Sequence, residues 1–146
     1  MSGLISRALE YDGDPAIWAM DIQERATKWL PYMKAGGADL LVGVWVPPKE
    51  ARLAGSSLFV PEKNKDENQY QGISGLILLM GPHAYKTEKT TGWFVDKDGN
   101  PSPPKIGDWV QFDFLQGKSF LLGGLPCRWV ADQYVMSPIP RPDIIA

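Results

Sequence analysis

Lys105-Ile106-Gly107-Asp108-Trp109-Val110-Gln111-Phe112-Asp113-Phe114 is the stretch on which the fold turns. From Trp109 the character alternates, with Val110, Phe112 and Phe114 on one side and polar Gln111 and Asp113 among those on the other. That period of two is the mark of a strand with one buried face. Immediately upstream, Asp96-Lys97-Asp98-Gly99-Asn100 is a strong turn signal, and Pro101, Pro103 and Pro104 extend it into a loop. Downstream, short strands are expected around 120–122, 127–130 and 134–136.

Further out, Leu40, Val42, Val44 and Val46 share one face of a strand that Pro47-Pro48 terminates. Residues 49–74 are polar and charge-rich around an apolar island, Leu58-Phe59-Val60. Another strand runs from Leu76 to Met80, bounded by Gly75 and by Gly81-Pro82. Five or six short strands set apart by Gly/Pro turns predict a mainly β chain, rolled into a small closed or nearly closed barrel. Three parts are expected: a helical extension over residues 1–37, a barrel over 38–140 and an extended Pro-rich tail over 141–146. Pro138, Pro140 and Pro142 are expected to end the sheet and run over a surface.

The extension reads as a helix. Asp14 is placed to cap it, and Pro15 suits its first position, where no N–H is needed. Trp18, Ile22, Ala26 and Trp29 recur at three- or four-residue spacing, and Pro31 ends the pattern. Gly36-Gly37 reads as a flexible joint. The tryptophan stripe either packs on the chain's own barrel or docks on another subunit, and the joint would permit the second.

With 146 residues, 44% of them hydrophobic and 22% charged, the chain has the make-up of one ordinary globular domain. Net charge is −2 and Lys and Arg are scattered, so no basic stripe faces a phosphate backbone and nucleic acid is not an expected partner. The longest apolar run, Leu76–Met80, is too short to span a bilayer, and the chain opens on no signal-peptide pattern. Cys127 is the sole cysteine, which rules out an internal disulfide and a thiolate zinc cage; its strand context reads as a small buried hydrophobe.

Catalytic chemistry has little to work with. His83 is the one histidine, and no nucleophile pattern accompanies it. The Asp96–Asn100 run resembles a calcium loop, but its glycine is misplaced and no closing glutamate follows at the twelfth position. No catalytic residue, metal site or cofactor is expected.

Three elements taken together resemble the GroES-like co-chaperonin family. The strand over 40–46, a long hydrophilic loop with Gly55-Ser56-Ser57-Leu58-Phe59-Val60-Pro61, and the strand over 76–80 follow that family's order. Ile106-Gly107-Asp108-Trp109-Val110-Gln111-Phe112 resembles its hydrophobic-Gly-Asp-x-Val-x-Phe strand, and Asp132–Val135 its closing acidic-then-aliphatic segment. The resemblance implies a GroES-like barrel whose loop carries an apolar tripeptide into a partner's groove. The long extension, the stretch 85–104 and the tail depart from the family, and Gly81-Pro82-His83-Ala84-Tyr85-Lys86 and Pro126-Cys127-Arg128-Trp129 look like members encoded by tailed phages.

The expected role is therefore a binding or assembly component and not an enzyme. One form is a structural virion protein that decorates or cements a capsid surface, assembled in the host cytoplasm, with the major capsid protein and copies of itself as partners. The alternative is a co-chaperonin that caps a chaperonin. Leu58, Phe59, Val60, Trp18, Ile22 and Trp29 are the expected partner-binding residues. Burying the Leu58-Phe59-Val60 tripeptide in a groove contributes at most ~5 kcal/mol before ordering costs, so a ring of copies would be needed to amplify it. Under the co-chaperonin reading, Phe59→Asp abolishes capture by a chaperonin in a pull-down while leaving the melting temperature unchanged; undiminished capture would count against the loop as the ligand.

Overall fold

The structure, a computed structural model, describes residues 14–46, 73–113 and 115–144. Helix α1 (Pro15–Thr27) begins as its sequence dictates: the Asp14 side chain accepts the Ala16 N–H at 2.9 Å, and Pro15 occupies the first position. A 3₁₀ turn at Leu30–Tyr32 follows. The strands are β1 (Asp39–Val44), β2 (Ser74–Met80), β3 (Trp109–Phe112), β4 (Lys118–Leu122), β5 (Leu125–Ala131) and β6 (Val135–Ile139), with a one-turn helix α2 (Glu88–Thr91) between β2 and β3. They form one antiparallel sheet in the order β4-β5-β1-β2-β3-β6.

That order cannot be flat. β5 lies second and β6 sixth, yet only the 3₁₀ turn Asp132–Tyr134 joins them. Four strand spacings would separate them by ~19 Å in a flat sheet. The connection reaches ~14 Å at most when fully extended. The sheet therefore curls, and the Arg128 guanidinium of β5 duly lies 5.9 Å from the Phe112 ring of β3. The curl stops short of closure: β4 and β6 remain the two ends of the hydrogen-bonded order. Of the closed or nearly closed barrel expected, the closed form is not found, and the sheet is a rolled, open one.

Each face of the sheet has its own core. Inside the curl sit Leu40, Val42, Val44, Ile77, Val110, Phe112, Val130 and Val135, closed off by Ala84 and Tyr85. On the other face Leu41, Trp45, Leu76, Leu78, Trp109, Leu122, Leu125 and Cys127 pack with Ile22 and Ala26 of α1. A bulge between Leu41 and Val42 leaves Leu78 without an opposite residue, and Leu76, Leu78 and Leu79 all reach the helix side.

The Gly-Asp pair ahead of β3 has a local cause. Gly107 takes φ +94°, open to glycine at little cost, and donates to the Ile77 carbonyl at 2.9 Å. Asp108 closes the turn by accepting the Lys105 N–H at 3.0 Å.

Three expectations need correction. Pro138 does not end the sheet; it lies within β6 opposite Val110, tolerated because β6 is an edge strand. The tail does not simply run extended, since Pro142–Ile144 forms a 3₁₀ turn with Pro142 fully buried. Gly36-Gly37 is no loose joint: His83 N–H donates to the Gly37 carbonyl at 2.8 Å, and a Cβ on Gly81 would lie 2.3 Å from that same oxygen. Phe114 lies outside the described residues.

All of Leu40, Val42, Val44, Leu76, Leu78, Val110, Phe112 and Val130 are buried. Val110 is fully enclosed inside the curl, so Val110→Asp buries a charge with no partner provided. The expected loss is on the order of 3–5 kcal/mol, read as a collapse of the thermal transition.

Candidate functional site

Helix α1 is positioned by contacts at both of its ends. Near its start, the Trp18 ring meets Trp45 at 5.3 Å between centroids and 47° between planes. The Arg141 guanidinium covers Trp18 at 5.8 Å and pairs with the Asp143 carboxylate through two nitrogens at 2.5 and 2.9 Å. The C-terminal turn is thereby fastened over the helix start. At the other end, Trp29 lies against the β4–β5 turn, where a Cβ on Gly123 (φ +56°) would sit 2.1 Å from the indole nitrogen. Arg25 donates to the neighbouring Gly124 carbonyl at 3.3 Å.

Of the expected partner-binding residues, the structure brings Trp18, Ile22 and Trp29 together on one face, and that face covers the chain's own sheet. Ile22 is buried, while Trp18 and Trp29 are half-buried at the rim. The opposite side of α1 presents Ile17 and Met20, 63% and 56% exposed, three residues apart and so adjacent on the helix surface. Their identity as apolar residues off the stripe is the one signal in the sequence that could have singled them out. Leu58, Phe59 and Val60 lie outside the described residues, in the connection between β1 and β2.

Two open clefts flank the helix and the hairpin. One, of about 210 Å³, is lined by Trp18, Asp21, Arg25, Trp45 and Pro126 among others. The other, of about 450 Å³, runs between Lys34, Asp39, Lys118, Trp129 and Tyr134. Phe120 stacks on Trp129 beside it, with centroids 6.0 Å apart and planes 20° apart. Neither cleft pairs a nucleophile with a base. Among the described residues no three His, Cys, Asp or Glu side chains converge as metal ligands. Nor is any described helix long and apolar enough to cross a membrane. His83 is exposed, and its backbone serves the Gly37 contact.

The polar centre of the molecule is structural. Tyr85, at φ +58°, donates its N–H to the Asp132 carboxylate at 2.8 Å and its hydroxyl to the Asp132 carbonyl at 3.0 Å. Both residues are buried, and burial first, then the Asp132 charge, holds the phenol well above its ordinary range. A left-handed tyrosine costs of order 1–3 kcal/mol and persists because these bonds hold it. Arg128, 4% exposed, donates to the Gln116 carbonyl at 2.9 Å; burial lowers its pKa, while Asp113 opposes that shift.

No family model and no curated protein matches the chain.

Cys127 is fully buried, and burial pushes its thiol up to about 12, with the Arg25 charge pulling weakly the other way. The folded thiol is thus the weaker acid, so its contribution to stability is complete below about pH 8.5, the unfolded value. That contribution fades as pH rises toward 12. Native protein at pH 8 is expected to resist a thiol reagent and to take up one equivalent on unfolding; fast labelling of the native chain would place Cys127 at the surface.

Proposed function

We propose that this chain is a structural component of a protein assembly, a tailed-phage head protein that decorates or cements the capsid, built on a GroES-like variant of the rolled sheet. The observation that supports this reading is the two-sided helix. Its tryptophan stripe holds α1 rigidly to the sheet, and the outward side then displays Ile17 and Met20 to solvent. An apolar pair on a rigid support suits a protein contact, because little side-chain or backbone order has to be lost on docking. The partner of that outward side is the major capsid protein, while Trp18 and Trp29 stay on the sheet-facing side.

The co-chaperonin alternative rests on one topological fact. The segment carrying Leu58-Phe59-Val60 joins β1 to β2, neighbouring strands in the middle of the sheet, as the family's loop does. In that case the tripeptide and not the helix would meet the partner.

Replacing both exposed residues, Ile17→Asp with Met20→Asp, is expected to shift stability by no more than about 0.5 kcal/mol each, since neither contributes to a core. The same variant is expected to lose co-sedimentation with capsid shells. Full retention of shell binding would remove the helix from the contact, and absence of the protein from purified particles would overturn the structural role itself.

A further inference from the structure

The two ends of the sheet are guarded unequally. β6 carries Pro138, which has no N–H to offer, and a register shift lies between Gln111 and Phe112 where it meets β3. Proline and irregular pairing are the devices that keep an edge from recruiting another strand. β4 has neither. Its sequence is Lys118-Ser119-Phe120-Leu121-Leu122, with one charge at its very start, and Leu121 is 56% exposed.

Hairpin geometry fixes which backbone groups of β4 face outward. Leu122 and Leu125 flank the two-residue turn Gly123-Gly124, where both glycines have positive φ, and so form a hydrogen-bonded pair. Alternation then makes Phe120–Cys127 and Lys118–Trp129 bonded pairs and leaves Leu121–Pro126 and Ser119–Arg128 non-bonded. Pro126, which lacks an N–H, sits where none is required. The N–H and C=O groups of Ser119 and Leu121 therefore point away from β5, and among the described residues no strand pairs with them.

We propose that β4 is a self-association edge, pairing antiparallel with β4 of a second copy about a two-fold axis through Phe120. This deepens the assembly reading by naming the surface through which copies meet. A second copy is the fitting occupant because the strand is complementary to itself in this register. Ser119 and Leu121 of one copy exchange hydrogen bonds with Leu121 and Ser119 of the other, using every outward group of the regular strand. Any other register would draw on Gly117 or Gly123, whose positive φ takes them out of extended geometry. Lys118 falls opposite Leu122, so no like charges oppose each other across the axis. Phe120 falls opposite its own copy in a non-bonded pair, where side chains approach most closely. Since Phe120 already stacks on Trp129, the two copies would join their rings into one row across the interface.

The test is sedimentation of the full chain over a range of concentrations, with two kinds of variant. Leu121→Pro deletes an outward N–H that the fold does not use, so dimerisation should weaken roughly tenfold or more with the thermal transition kept. Phe120→Cys should form a covalent dimer on oxidation, since opposed residues of a non-bonded pair lie about 4.5 Å apart at Cα, within disulfide reach. Ser119→Cys should not, being two residues out of register with its own copy. Buried Cys127 leaves the engineered thiol as the reactive one. A wild-type chain that stays monomeric to about 1 mM overturns the proposal, as does an undiminished dimer for Leu121→Pro. Should that variant prove unstable, equal cross-linking of the two cysteine variants, or none, overturns it. Shell binding is a separate measurement, so loss of one property does not decide the other.

Discussion

Asp132, Gln133 and Tyr134 carry the chain from the second strand of the sheet to the sixth, and a path that short compels the sheet to roll. The turn is held accordingly. Asp132 donates its N–H to the Ala38 carbonyl, its carboxylate takes the Tyr85 N–H, and Tyr134 accepts from Asp113 N–H at the mouth of β3. One buried acidic residue thus ties the start of β1, the connection after β2 and the crossing to β6. An apolar residue at 132 would leave the Tyr85 N–H buried without its partner, and the left-handed backbone would lose one of the bonds that hold it.

Rolling decides the chemistry of the two faces. The inner face is narrow, and it is filled by Val42, Val44, Val110, Val130 and Val135 around Phe112. β-branched residues are stiff and suit a strongly bent pleat. The outer face is wide and would leave Leu41, Leu78, Leu125 and Cys127 in water. Helix α1 covers it, and bulky tryptophans fill the gap between a straight helix and a curved sheet at both ends. Gly123 is part of the same fit, since the Trp29 indole occupies the space its Cβ would need. The tryptophan richness of this short chain follows largely from that geometry.

Local features of this architecture were legible in the sequence. The Asp14-Pro15 start of α1, the inward placement of Val110 and Phe112 in β3 and the Asp96–Asn100 turn depend on neighbours a few residues away. Each formed as expected, although Trp109 is buried on the other face as well. Non-local facts were not legible. Nothing in Tyr85 announces a left-handed backbone held by a residue 47 positions on. Gly36-Gly37 reads equally as freedom or as close approach, and only Gly81 packed against it decides for the second. Pro138 misleads because proline breaks a sheet only where a neighbouring strand needs its N–H, and whether a strand lies at an edge is a tertiary property. The candidate site divides along the same line. Periodicity gave the stripe of Trp18, Ile22 and Trp29, but it could not say which surface the stripe covers. The exposed Ile17–Met20 pair became visible only once that surface was known to be the chain's own.

An open roll keeps two edges, and the molecule treats them by different physical means. At β6, the backbone itself is disarmed by Pro138, and the following 3₁₀ turn with buried Pro142 seats the end of the described chain against the body. At β4, the Gly123-Gly124 turn and the proline at 126 keep the hairpin regular, so its outward groups stay aligned and free of distortion. A disordered or bulged edge would present the same number of donors without the spacing that a partner strand requires. Regularity there therefore carries information: the residues that make β4 pair well with β5 are those that would make it pair well with another strand. Proline thus acts in opposite senses at the two edges, silencing an outward donor at one and sparing the ladder at the other, according to which side of the strand its nitrogen faces.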